Sequence, residues 1–132
     1  MASEIRDSFY NMFLKQAENQ RSMFEKGMYD GFSDNDGKFT ELPIDDPKLA
    51  SYHIQQLVSE IGEVLEADKR WKNFRNSAYD KYAKRDEIAD CFIVLMNIAM
   101  FSGFDAADMY YAISKKIEEV SKRISDVNSD VN

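Results

Sequence analysis

The chain has 132 residues, 44% of them hydrophobic and 31% charged, with a net charge of −7. That length and balance describe one globular domain large enough to bury its own core, and they exclude a disordered chain and a general nucleic-acid binder. No apolar run is long enough to span a bilayer, no secretory leader is visible, and the single cysteine fits a reducing, cytoplasmic setting.

The first predicted helix runs from about Ser3 to Met28, with Ile5, Phe9, Met12, Phe13, Met23 and Phe24 at apolar positions. Gln16 and Gln20 interrupt that stripe. Their amides either satisfy each other inside a bundle or read a base edge through paired donor and acceptor. Residues 29–47, rich in Gly, Asp and Pro, read as a loop. A second helix over 48–68 places Ile54, Leu57, Val58, Ile61, Val64 and Leu65 on one face, with Glu60 at its edge and Glu63 further round. His53, the only histidine, reads as a surface residue. A di-iron bundle would need Glu three positions before it, where Ala50 stands.

Residues 69–85 carry seven Lys/Arg against one Asp, a local +6 that leaves about −13 elsewhere. The segment suits either a solvated connection or a partner bearing phosphates. Next comes Glu87–Phe101 (EIADCFIVLMNIAMF), apolar all round except for Glu87, Asp90 and Asn97, which predicts a helix buried on most of its surface. Those three positions fall within a sector of about 80° at 100° per residue. Cys91 reads as a small core residue. Gly103 ends this helix and Asp105 caps a fourth, 106–124, with Ile113, Ile117, Val120 and Ile124 as its seam. The whole reads as a single all-α domain, 1–124, followed by a polar, frayed tail, 125–132.

Burying a carboxylate costs several kcal/mol unless a cation or hydrogen-bond donors compensate it. Glu60 and Glu63 share the i, i+3 spacing of Glu87 and Asp90, so each pair occupies one face of its helix. Twenty-three residues separate Glu63 from Glu87, enough for the chain to turn and return antiparallel. Four carboxylates converging across such a seam suit a hard, oxygen-preferring cation, Mg²⁺ or Mn²⁺. A helix as greasy as the third also predicts a bundle completed by a second copy.

E-x-x-E at Glu60 and Glu63, followed by E-x-x-D at Glu87 and Asp90, resembles the all-α nucleoside triphosphate pyrophosphohydrolases. That superfamily includes MazG-like enzymes and the dimeric dUTPases and dCTPases. "EIGEVLEA" is similar to the family's first acidic helix and "DEIADCFIVLMNIAMFSGFD" to its second. Asn97 sits where MazG-like chains often carry Asn, Lys116 where they often carry Lys, and Trp71–Lys72 is similar to a pair in the dimeric dUTPase branch. The likeness covers roughly residues 50–120.

The resemblance implies a four- to five-helix bundle working as a homodimer or homotetramer, and Mg²⁺-dependent hydrolysis of a (deoxy)nucleoside triphosphate to monophosphate and pyrophosphate. Glu60, Glu63, Glu87 and Asp90 would hold the metal, with Glu60 or Glu63 as base for the attacking water. Asn97, Lys116, Lys72, Arg75 and Trp71 would bind substrate, and Gln16 and Gln20 would contact its base. Ser114 stands where MazG-like chains often have Asn, which leaves the base unspecified. The rival expectation is a catalytically silent helical protein that binds a partner with the same fold.

Overall fold

Each helix begins or ends where a short polar residue or a glycine takes over the unpaired backbone groups. The computed structural model describes residues 2–29, 42–72 and 79–130. Phe74 and Arg75 lie outside those residues, as does the 30–41 part of the expected loop. Helix α1 spans Ala2–Glu25, α2 Pro47–Ala67, α3 Lys81–Phe101 and α4 Ala106–Asp130, with one 3₁₀ turn at Lys69–Trp71. The described residues are all-helical apart from one isolated bridge, and no helix among them is long and apolar enough to cross a membrane.

Helix α1 stops three residues before the expected Met28. Gly27 adopts φ 68°, and the Met28 amide donates to the Met23 carbonyl at 2.9 Å, the left-handed closure that glycine favours. Asp46 caps α2, accepting from the Leu49 amide at 3.1 Å, with Pro47 in the first turn. Helix α3 starts six residues before Glu87, because Asp80 accepts from the Tyr82 and Ala83 amides. It ends at Gly103, φ 88°, where the Phe104 amide donates to the Ala99 carbonyl at 3.0 Å. Asp105 and Asp108 then cap α4 reciprocally, each backbone amide donating to the other's carboxylate at 2.8 and 3.1 Å.

Helices α2 and α3 form an antiparallel hairpin. Ile44 and Asp46, leading into α2, donate to the last carbonyls of α3, Met100 and Phe101, both at 2.8 Å. At the other end Lys84 of α3 meets Asp68, just past α2, at 3.1 Å. Helix α1 lies along α3 through Gln16–Asn97 and Phe24–Phe101 contacts, and α4 folds back on α1 through Phe9, Tyr10 and Tyr110. The core sits at one end of the bundle, where Phe13, Ala17, Leu49, Met100, Phe101 and Ala106 meet.

Two expectations about burial need correction. The third helix is not sheathed by the described residues: Val94, Asn97 and Ala99–Phe101 are buried, but Phe92 is 62% exposed and Leu95 48%. The second helix is rotated from the apolar-face-inward arrangement. Leu49, His53, Gln56, Glu60 and Val64 turn toward the bundle, while Ile54, Val58, Ile61 and Leu65 form an outward stripe, each at least 50% exposed. Among the described residues, the other helices leave both of these apolar faces uncovered. The fourth helix also outruns its expected end at 124, since Val127 extends the Ile113–Ile124 spacing by one further step.

Candidate metal centre and adjoining cavity

The antiparallel hairpin brings the two acidic pairs to one level. Oxygens of Glu60, Glu63 and Glu87 lie within 4.8 Å of one another. Asp90, exposed on the next turn of α3, falls outside that reach and flanks the group. Glu60 Oε2 and Glu87 Oε2 are buried and make no hydrogen bond. Such orphaned anionic oxygens are costly unless a cation takes them. The all-oxygen donor set fits Mg²⁺ or Mn²⁺ and offers neither nitrogen nor sulfur for a softer metal. Nor is Glu87 a mere complement to the helix dipole, because Asp80 opens α3 nearly two turns earlier and dipole effects fade within the first turn.

Mutual repulsion leaves its mark on proton affinity. Desolvation, then the Glu63 and Asp90 charges, push the Glu60 carboxyl above its ordinary range. Glu87 is raised as well, first by the close approach of the Glu63 carboxyl, then by desolvation and the neighbouring charges. Cys91, half-buried beside them, is raised by desolvation and then by all four acids, so its thiol stays protonated and is no nucleophile.

A cavity of about 350 Å³ lies between α1, α2 and α3, with Glu60 and Asp90 among its lining. Tyr29, Tyr52, His53, Gln56 and Asn97 line it as well. Here the expected surface position of His53 is overturned. His53 is 2% exposed, stacked on Phe101 at 5.2 Å between centroids, with Nε2 3.2 Å from the Tyr29 hydroxyl and Nδ1 3.2 Å from Gln56 Oε1. Burial lowers its proton affinity. Gln16 and Gln20 donate to Asn97 Oδ1 at 2.9 and 3.1 Å, and the Tyr29 hydroxyl donates to Gln20 Oε1. The two glutamines thus bond to Asn97 rather than to each other, and both line the cavity.

The cationic and aromatic candidates lie elsewhere. Trp71, 56% exposed, donates its indole N–H to the Leu65 carbonyl at 2.9 Å and so closes the end of α2. Lys72 and Lys69 share Glu66, each at 3.8 Å. Arg70 grips Asp68 through Nε and Nη2, both at 2.7 Å, and covers the Tyr79 ring. Lys116 stands on α4 paired with Glu119 at 3.6 Å, away from the cavity. Arg75 lies outside the described residues. Much of the basic connection is thus neutralised locally, with Asp68 held well below the usual carboxylate range, chiefly by Arg70.

Sequence reasoning missed Tyr29, Tyr52 and Gln56. Gln56 and His53 precede Glu60 by four and seven residues on one helix face, and that spacing was the available signal. Tyr29 had none, since only the Gly27 turn brings it inward. Fold and site together define an all-helical protein with an acidic cluster adjoining an amide- and aromatic-lined cavity. Comparison with protein-family models, curated proteins and solved structures finds no match to this chain.

Proposed function

We propose that this protein is a Mg²⁺-dependent all-α nucleoside triphosphate pyrophosphohydrolase, releasing a (deoxy)nucleoside monophosphate and pyrophosphate. The observation that carries the reading is the convergence of Glu60, Glu63 and Glu87 from two helices within 4.8 Å, two of them with orphaned oxygens. These three would hold Mg²⁺, or Mn²⁺ in its place, with Asp90 beside them. The bound cation would offset phosphate charge and make water a better nucleophile. Of the two candidate bases, Glu60 lines the cavity, which supports it as the one that would take the proton of the attacking water. The cavity supports a nucleotide, with phosphates toward Glu60 and Asp90 and the base toward Tyr29, Tyr52 and His53. Products decide the matter. With Mg²⁺ and a panel of (d)NTPs, ³¹P NMR should resolve pyrophosphate and monophosphate; orthophosphate as the immediate product would refute the reaction class.

The exposed apolar stripes support a homodimer or homotetramer. Ile54, Val58, Ile61 and Leu65 on α2 and Phe92 and Leu95 on α3 are each about half exposed or more, apolar surface of the kind that a second copy covers. Lys116 and Lys72 would belong to the site only where a neighbouring copy completes it. Light scattering should give a discrete oligomer, and Phe92→Glu should reduce it to monomer; a monomeric wild-type chain would end this part of the reading. The same stripes also favour the second reading, a catalytically silent partner-binding protein, which predicts no effect of Mg²⁺ on stability or turnover.

A further inference from the structure

Helix α4 begins in the core and ends outside it. Ala106 and Met109 join the core cluster, and Tyr110 packs on Phe9 and Tyr10 of α1. From Tyr111 to Val127 every residue except Glu119 is exposed, so most of α4 stands clear of the other described residues. That stretch is not polar all round. Ile113, Ile117, Val120, Ile124 and Val127 follow one another at alternating steps of four and three residues, and each is at least 43% exposed. A groove of about 510 Å³ beside Ile113, Ile117 and Val120 is lined by α4 residues alone. Steps of four and three average about 3.5 residues, the period that keeps apolar side chains facing a second helix along a left-handed supercoil. Helices in folded proteins draw most of their stability from packing such a face. The spacing therefore calls for a helix as the occupant.

We propose that this stripe is a coiled-coil seam between copies of the chain, in which α4 lies parallel and in register with α4 of a neighbouring copy. The seam rests on the homo-oligomer reading above and is independent of the enzymatic one. A second copy suits the stripe because the stripe is complementary to itself. In register each β-branched layer meets its own kind, and isoleucine and valine fill such layers in coils of two to four strands. Charge permits the approach. The chain carries −7, yet residues 111–127 hold four Lys/Arg against three Asp/Glu, a local +1, so copies meet here with less repulsion than their net charge would bring. The flanking positions set the direction. With Ile117 and Ile124 at a and Ile113, Val120 and Val127 at d, Lys116 and Arg123 fall at g and Ser114 and Ser121 at e. A parallel pair sets Lys116 against Ser121 of the neighbouring copy. A fully overlapped antiparallel pair would set Lys116 against Arg123, twice, and like charges at those positions oppose pairing.

Cysteine crosslinking reads the register. In a Cys91→Ser background, Ile124→Cys should form a disulfide between two copies under mild oxidation, because parallel in-register strands bring the two Cα atoms into disulfide range. Lys122→Cys, on the opposite face of α4, should stay unlinked. In the antiparallel pair Ile124 would face Ile113 instead, leaving the two copies of residue 124 about 16 Å apart along the axis. Crosslinking only between Ile113→Cys and Ile124→Cys chains would therefore overturn the parallel arrangement. Ile117→Lys, at a position 61% exposed and so harmless to the fold, should raise the concentration at which the oligomer dissociates by about tenfold or more. A discrete oligomer by light scattering, with no crosslink at 124 and no effect of Ile117→Lys, would refute the α4 seam and leave the homo-oligomer reading standing; the stripe would then belong to a different partner. A monomeric chain would refute both.

Discussion

Glu63→Gln should lower Mg²⁺-dependent kcat/KM by about 10³-fold or more while leaving the helical fold intact. Glu63 is the exposed member of the cluster, so the exchange disturbs no packing. It nevertheless raises the proton affinity of both Glu60 and Glu87, which makes it the centre of the group. A cation held by these acids contributes several kcal/mol of charge stabilisation in phosphoryl transfer, and each 1.36 kcal/mol is about a factor of ten in rate. Steady-state kinetics with a circular-dichroism control measures this. A loss below about tenfold would place the metal elsewhere.

The second large effect is on stability, and its sign follows from the raised proton affinities of Glu60 and Glu87. A carboxyl that holds its proton more tightly folded than unfolded stabilises fully below the ordinary value of 4.5, and that contribution is lost as pH rises through the raised value. The metal-free protein should therefore lose stability through the cluster between mildly acid and neutral pH. His53 works the other way: its lowered proton affinity favours the fold above pH 6.5 and costs stability as pH falls. The difference between wild type and Glu87→Gln separates the two. Near pH 7.5 and without metal, Glu87→Gln should melt higher than wild type, an advantage that vanishes toward pH 4.5.

Mg²⁺ should reverse the penalty in the wild-type chain. At a hundred times its Kd, a ligand of the folded state contributes about 2.7 kcal/mol, or roughly 8–10 °C in Tm for a domain of this size. Glu87→Gln should gain much less. Equal Mg²⁺ shifts in the two proteins would contradict assigning the orphaned Glu87 oxygen to the metal.

What was legible in the sequence follows its local signals. The helices, the Gly103 stop and the Asp105 cap were readable because periodicity and capping depend on near neighbours. So was the acidic cluster, since i, i+3 spacing on two helices joined by a connection long enough to reverse leaves few other arrangements. The rotation of α2 was not readable. Ile54, Val58, Ile61 and Leu65 make its strongest apolar stripe, and only the folded chain reveals that Leu49, His53 and Glu60 face inward instead. That reversal is what carries Glu60 to the cavity. His53 escaped for a related reason, because its burial depends on Phe101, distant in sequence, and on Tyr29 beyond the Gly27 turn. The hydrogen bonds of Asn97 are likewise long-range, made with partners 77 and 81 residues away.

Everything functional in this account stands on Glu60, Glu63 and Glu87 being a divalent-cation site. The most direct test is a Mn²⁺ titration followed by electron paramagnetic resonance, with Mg²⁺ as competitor. Wild-type protein should quench the free-Mn²⁺ signal at a saturable site that Mg²⁺ reverses, and Glu63→Gln and Glu87→Gln should each abolish or sharply weaken it. Binding unchanged in both variants, or no binding by the wild-type chain, would contradict the account at its base.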